Sequence, residues 1–294
     1  MVCIFCTATR SKSIASKLRD SDAYSVVECT RCHLVQLTPV PRVAADQKFY
    51  DEGLQAKNIG LSLHITNLKR KQLPDVKRRA EWVMPHCKPG AKVLDIGSGY
   101  GFFVEELRKR GLKPTGMEIS KTSRAIAKKV TSVNILNINL IKDSFHRAYD
   151  VITMFHVLEH ISEPVKFLIK VRTLLSTRGK LFVEVPNRDD LMLKHSRAYR
   201  DFYWQRAHIS YFNENTLLMV MRKSGFKTIR VSMAQRYGIE NCMTWLIAGT
   251  PQLERPSLSV RGATAQHYGW LEKFYKDSLV KTKKADTILA VAEA

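Results

Sequence analysis

A chain of 294 residues with 45% hydrophobic content is long enough for one full α/β domain plus smaller attachments, and apolar enough for a real core. No apolar run approaches the length of a membrane span, and Met-Val-Cys-Ile-Phe-Cys-Thr lacks the basic-then-apolar order of an export signal, so a cytoplasmic location without membrane insertion is expected. The formal charge of +21, with pI ≈ 9.8, attracts anions such as nucleic acid, nucleotide-linked substrates or an acidic surface, without choosing among them.

Residues 1–40 carry four of the six cysteines as two Cys-x-x-Cys pairs, Cys3/Cys6 and Cys29/Cys32. Each pair can bite one tetrahedral ion, and four thiolates would fill every position of a structural, non-catalytic zinc site in a small ribbon. Disulfides are the poorer account in a cytosolic chain. Cys29-Thr-Arg-Cys32-His33 also spells a haem-attachment motif, but that use needs export and leaves the first pair idle. Cys87 and Cys242 stand alone and read as ordinary packing residues.

Residues 41–90 read as a helical lead-in. Helix-like segments carry Phe49, Tyr50, Gln55 and Leu61 to Leu68, and Pro74-Asp75 opens a further helix running to about Met84. The clusters Lys69-Arg70-Lys71 and Lys77-Arg78-Arg79 read as solvated helix faces. Lys88-Pro-Gly90 then breaks the pattern.

Residues 91–234 alternate strands and helices, which argues for a parallel sheet covered on both faces. Strands are expected at Lys92–Ile96, Pro114–Ile119, Val133–Ile138, Asp150–Phe155, Gly179–Val185 and Lys227–Ala234. After the first comes Asp95-Ile-Gly97-Ser98-Gly99-Tyr-Gly101, a turn whose glycines let the backbone approach a ligand, with a helix N-terminus behind it. A dinucleotide-binding turn would place its third glycine at position 102, where Phe102 stands. A carboxylate at Glu118, ending the second strand, can accept both hydroxyls of a ribose.

With Asp95 before the turn and Glu118 after it, the chain resembles the class I S-adenosylmethionine-dependent methyltransferases. The resemblance implies a Rossmann-like sheet, parallel with one antiparallel strand, carrying here a small N-terminal zinc ribbon and a C-terminal helical insertion. It implies S-adenosylmethionine as cofactor and lead-in helices that cover it. Carried onto this sequence, Asp95, Gly97, Ser98, Gly99, Glu118 and Ile119 belong to the cofactor site. Many relatives place an acid after strand three; here Asn137 and Asn139 stand there, and Asn139 is chosen because its carbonyl can accept the same hydrogen bond.

His156-Val-Leu-Glu159-His160 taken alone matches an inverted zinc-protease helix, a reading that needs a further ligand and no nucleotide turn upstream. The same residues resemble motif IV of the methyltransferases. That implies Phe155 and His156 along the methionine part of the cofactor, with Glu159 and His160 facing the acceptor. His208, in His-x-x-Tyr-Phe, resembles an element near the pocket mouth of small-molecule members, and an unperturbed histidine titrates in the range of a general base. His160, His208 and Glu159 are therefore the catalytic candidates, set against purely structural roles for each.

Residues 235–294 read as about two inserted helices and a closing antiparallel strand at Ala285–Ala292, with Trp245, Tyr268, Trp270 and Tyr275 as flat surfaces for a sugar or base, or as packing. Methyltransferases with such a knuckle often modify sugars, free or in surface glycans, so the expected acceptor is an anionic or glycan small molecule, at a sugar hydroxyl or a nucleotide-sugar carbon. An RNA methyltransferase docking through the knuckle and the basic surface is the rival, although no Asn-Pro-Pro-Tyr-type loop follows strand four. A scaffold that binds no cofactor is the other.

Overall fold

The two Cys-x-x-Cys turns open a short antiparallel meander: β1 (Ser11–Ala15), β2 (Ser25–Cys29) and β3 (Val35–Thr38). The computed structural model describes residues 2–41, 65–251 and 263–294. Phe49, Tyr50 and Gln55 of the expected lead-in lie outside them.

The lead-in helix α1 (Ile65–Val83) begins before Pro74, not at it, and carries that proline inside. An interior proline lacks one intrahelical hydrogen bond. Burial of the stripe Leu68, Val76, Ala80 and Val83 against Phe102, Phe103 and Leu107 outweighs that loss. Arg78 and Arg79 also depart from expectation. They turn inward from the solvated face to ion-pair with the buried Glu184.

The alternating pattern then folds as β4 (Lys92–Ile96), α2 (Phe102–Lys109), β5 (Lys113–Met117), α3 (Lys121–Val130), a two-residue β6 (Ile135–Leu136), β7 (Tyr149–Phe155), α4 (Pro164–Arg172) and β8 (Leu175–Pro186). Short helices α5 (Leu191–His195) and α6 (Arg197–Tyr203) follow, then β9 (Ser210–Tyr211), α7 (Glu214–Lys223) and β10 (Ile229–Ala234). The insertion supplies α8 (Ile239–Ile247) and α9 (Ala263–Lys281), and β11 (Thr287–Glu293) closes the domain.

The main sheet has the order β10-β11-β8-β7-β4-β5-β6, with β11 antiparallel to both neighbours and the pairs from β8 to β6 parallel. The central strands β4 and β7 are buried almost throughout, as continuous apolar runs must be when helices cover both faces. At the far edge β6 is two residues where six were expected. Asn134 and Asn137 flank it, and asparagine is poorly suited to extended pairing. Asn213 caps α7: its side chain accepts from Thr216 N at 3.0 Å, and Thr216 Oγ1 accepts from Asn213 N at 2.9 Å.

One joint is not evident from the sequence. β9 leaves the main domain and pairs with β3, in the register Val35↔Tyr211 and Gln36↔Ser210, completing a four-stranded sheet β1-β2-β3-β9. Leu18, Val26, Val35 and Leu37 share a core with Tyr203, Trp204 and Tyr211. The cysteine module is thus built into the wall that carries the His-x-x-Tyr-Phe element.

Candidate cofactor and acceptor site

The carboxyl ends of β4, β5 and β7 open into a cavity of about 930 Å3, within the range of small-molecule sites. Its floor is the glycine turn. Gly97 and Gly99 have φ of +72° and +53°, in the region that favours glycine, and a Cβ on Gly97 would lie 2.4 Å from Val157 Cγ2. The turn's N–H groups are mostly spoken for: Gly97 N and Ser98 N both donate to Met117 O, at 2.7 and 3.0 Å. The glycines here serve a close-packed bend, while the space above Gly99 stays open.

Glu118 accepts from Gly99 N and Ser120 N, each at 2.8 Å, so its carboxylate locks the turn after β4 to the end of β5. Asp95 lies beneath, fully buried, accepting from Thr153 Oγ1 at 2.6 Å; burial raises its pKa to about 7 against that hydrogen bond. Asp95, Gly97, Ser98, Gly99, Glu118, Ile119, Asn139, Phe155 and His156 all line the cavity, so the structure gathers every residue assigned to the cofactor from sequence. Asn139 Oδ1 also accepts from Ile141 N at 3.0 Å, which fixes the loop after β6. The fit to S-adenosylmethionine rests on that open bend, the carboxylate beside it, and Ser98 Oγ, a buried hydroxyl with no hydrogen-bond partner.

The far end of the cavity is lined by His160, His208, Tyr199, Tyr203, Tyr237 and Asp286. His160 Nδ1 donates to Ala207 O at 2.6 Å, which leaves Nε2 as its proton-accepting nitrogen. The His160 and His208 rings meet edge to face at 5.1 Å. Glu159 does not line the cavity as expected. It is 1% exposed and sits behind the histidines, 3.2 Å from His156 Nδ1 and 4.0 Å from His160 Nε2. Burial opposes its charge, but the hydrogen bond from His156 and the neighbouring imidazoles prevail and hold its pKa near 2. His208 departs from the general-base range: burial and the adjacent His160 push its pKa down to about 3, so it stays neutral.

A charged network missed by sequence reasoning braces this end. Glu184, at the end of β8, accepts from Arg78 Nη2 at 2.8 Å and Arg79 Nη2 at 2.6 Å, and lies 3.1 Å from His156 Nε2. Arg236, just after β10, donates to both oxygens of Asp75 at 3.2 and 2.7 Å and approaches His156 Nε2 at 2.9 Å. Asp286 in turn accepts from the backbone N–H of Arg236 and Tyr237. His156 is held among these groups with φ of 58°, a strained backbone for a non-glycine residue. The sequence signal was faint: an acid inside an apolar strand at Glu184, and an arginine pair mistaken for a solvated face.

Of the insertion's aromatics, Tyr237 lines the cavity, but Trp245, Tyr268, Trp270 and Tyr275 do not. Trp245 packs against Tyr199 and Phe202 at 5.2 and 5.1 Å, Tyr268 donates to Glu240, and Trp270 points to solvent. α8 packs over α6, which positions Tyr199 and Tyr203 instead.

At the other end of the chain, Cys3, Cys6, Cys29 and Cys32 place their four sulfurs within 4.8 Å of one another, with Cys3–Cys32 and Cys6–Cys29 each at 3.5 Å. Sulfurs on a tetrahedral zinc at about 2.3 Å would stand about 3.8 Å apart, so the set fits that ion. The two knuckles are alike: Thr7 N donates to Cys3 O and His33 N to Cys29 O, and Thr7 and His33 both have φ of 60°.

Comparison with known proteins agrees with this geometry. A family model described as a methyltransferase domain matches residues 66–231. The ubiquinone biosynthesis O-methyltransferase of Coxiella burnetii (strain Dugway 5J108-111) is 34% identical over 108 residues, 34% of this chain and 45% of that protein. That of Nitrosococcus oceani is 32% identical over 127 residues, 40% of this chain and 54% of that protein. The chain thus spans about half the length of the curated relatives it matches. A SAM-dependent methyltransferase from Archaeoglobus fulgidus shares the fold, with a TM-score of 0.53 and 16% identity over 79% of this chain and 100% of that one. The glycine turn, the acid closing β5 and the strand order therefore carry the same meaning as the family match, which spans more than half of the residues: the chain belongs to the methyltransferase-domain family.

Proposed function

We propose that this enzyme methylates a hydroxyl group of a small molecule, with His160 as the base. S-adenosylmethionine, when bound, supplies a methyl group on a positively charged sulfur, open to attack by a nucleophile. In this reading Glu118 holds the ribose, Asn139 faces the adenine, and Phe155 and His156 flank the methionine part. Gly97, Ser98, Gly99 and Ile119 shape the space between, above Asp95. The observation that carries the acceptor assignment is the set of His160: Nδ1 pinned on Ala207 O, Nε2 as the proton-accepting nitrogen, and an ionised Glu159 behind it. That arrangement takes a proton from an O–H as its oxygen attacks, and Glu159 stabilises the imidazolium that forms. His208, neutral and buried beside it, keeps a second positive charge away from His160 and shapes the pocket.

The far wall mixes aromatic faces with polar groups, namely Tyr199, Tyr203, Tyr237, Asp286 and Thr287. Such a lining suits a polyhydroxylated ring, so a sugar hydroxyl is the leading acceptor. The names of the curated relatives favour a hydroxyl in ubiquinone biosynthesis as the second reading. In either case the four cysteines hold a structural zinc, residues 1–40 form the ribbon, 41–90 the covering lead-in, 91–234 the cofactor domain and 235–294 the insertion and closing strand.

The test is transfer of labelled methyl from S-adenosylmethionine into cell extract separated into glycan, small-molecule, lipid, protein and RNA fractions. Label in glycans or sugars supports the leading reading. Label on a lipid-soluble phenol moves the acceptor to the second, and label in RNA, suppressed by salt, overturns both. In the responsive fraction His160→Asn should slow transfer by about 10²–10⁴-fold while the S-adenosylmethionine Kd stays nearly constant. Unchanged turnover would remove His160 from the base role.

A further inference from the structure

Of the twelve large hydrophobic side chains that stand exposed among the described residues, eight lie between Tyr237 and Val280, in and beside the insertion. Met243, Leu246 and Ile247 project from α8, and Trp270, Leu271 and Phe274 from α9. Ile247 is 77% exposed and Trp270 66% exposed, values normal for lysine and unusual for such residues in concentration. Trp270 and Phe274, one turn apart, stack at 5.7 Å with an interplanar angle of 18°. The two helices are tied to each other where Ile239 N donates to Glu272 and Tyr268 to Glu240, and the apolar side chains stand exposed around that junction.

The surrounding charge says what such a surface meets. Residues 191–203, 239–247 and 263–284 carry eight Lys and Arg against four Asp and Glu. Lys194, Arg197 and Arg200 stand exposed on α5 and α6, and α6 supports α8 through Tyr199 and Trp245. Lys273 and Lys281 stand exposed along α9. A second copy of the chain fits poorly, because each copy carries +21. Tryptophan, phenylalanine and aliphatic side chains among lysines and arginines are what a helix presents to a bilayer interface, with rings at headgroup depth and cations against anionic lipid.

We propose that the exposed apolar side chains of α8 and α9 form a docking surface for an anionic lipid bilayer, on which the enzyme rests without spanning it. The insertion joins Tyr237 to Asp286, both of which line the acceptor end of the cavity. Docking there places that end next to the lipid surface, so an acceptor carried on a membrane anchor enters without leaving the bilayer.

The experiment uses the full chain and two vesicle preparations, phosphatidylcholine alone and phosphatidylcholine with roughly one-third phosphatidylglycerol. The protein should sediment with the anionic vesicles, and salt that shortens the Debye length to about 3 Å should release it. W270S/F274S should bind these vesicles about tenfold more weakly while keeping the wild-type S-adenosylmethionine affinity, which serves as the check on folding. Brominated lipid gives a reading on the wild-type chain itself. Trp204 and Trp245 are buried and Trp82 is half-buried, so the quenching that is lost in W270S/F274S reports the exposed Trp270. No sedimentation with anionic vesicles overturns the proposal. So do equal binding by W270S/F274S, absence of quenching in the bound state, or an oligomer that this substitution dissolves.

Discussion

Glu118 gives the most direct test of the cofactor site. Its two carboxylate oxygens each accept a backbone N–H at 2.8 Å, one from Gly99 in the turn and one from Ser120 at the head of α3. Glu118→Gln preserves size and removes one acceptor, so an amide NH2 must face one of those N–H groups. A hydrogen bond to a charged acceptor contributes about 1.5–3 kcal/mol, and the opposed donors leave no replacement. If half or more of that loss is felt only when the ribose must be held, affinity falls by about 1–3 kcal/mol, roughly 5- to 150-fold. Calorimetric titration of S-adenosylmethionine and of S-adenosylhomocysteine should show the same loss for both, because they share the ribose. Denaturant unfolding of the free variant separates the turn's own loosening from the lost contact. A Kd within about twofold of wild type, with the variant folded, would refute the assignment of Glu118 to the cofactor.

Further outcomes follow from the same geometry. Glu184 is fully buried between Arg78, Arg79 and His156, so Glu184→Gln leaves those charges poorly paired and should cost about 3–5 kcal/mol in urea unfolding; a change below about 1 kcal/mol would show that the network is not closed in solution. His208 has a folded pKa of about 3 against an ordinary 6.5, so the unfolded chain binds its proton first. Its neutral form stabilises fully above pH 6.5, and that contribution is lost as pH falls from 6.5 towards 3. Between pH 6.5 and 5, wild type should lose stability faster than His208→Gln by up to about 1.4 kcal/mol per pH unit, and parallel curves would count against the burial described here. Cys29→Ser should abolish retention of zinc, measured by elemental analysis. It should also lower the melting temperature while leaving S-adenosylmethionine affinity within about threefold, since the cofactor turn lies in residues 95–118.

What could be read from sequence was local. The bend from Asp95 to Gly101, the acid at Glu118 and the paired cysteines each place chemistry within a few residues of one another, and the structure brings their side chains together. The closing strand was legible because Ile288 to Ala292 is apolar and partly β-branched. The misses in the charged network share one cause, separation along the chain. Arg79 meets Glu184, and Asp75 meets Arg236, across more than a hundred residues in each case. Nothing local distinguishes an arginine that turns inward from one that stays in solvent. Pro74 misled for a related reason: its backbone penalty is visible in sequence, whereas the packing of α1 on α2 that outweighs it is not. His208 was found by its motif, but its titration depends on burial, which no motif encodes.

The pairing of β3 with β9 has a consequence for biogenesis. The cysteine module is the first described part to leave the ribosome, yet the strand that covers its open edge is Ser210–Tyr211. Until that dipeptide is synthesised, β3 presents unpaired N–H and C=O groups, and Val35 and Leu37 lack the ring of Tyr211 that later shields them. At ordinary elongation rates that interval lasts roughly ten to thirty seconds. A metal ion taken up early would hold the nascent knuckles closed during this wait, and scarcity of the ion would be felt as misassembly of new chains before it was felt as instability of finished ones.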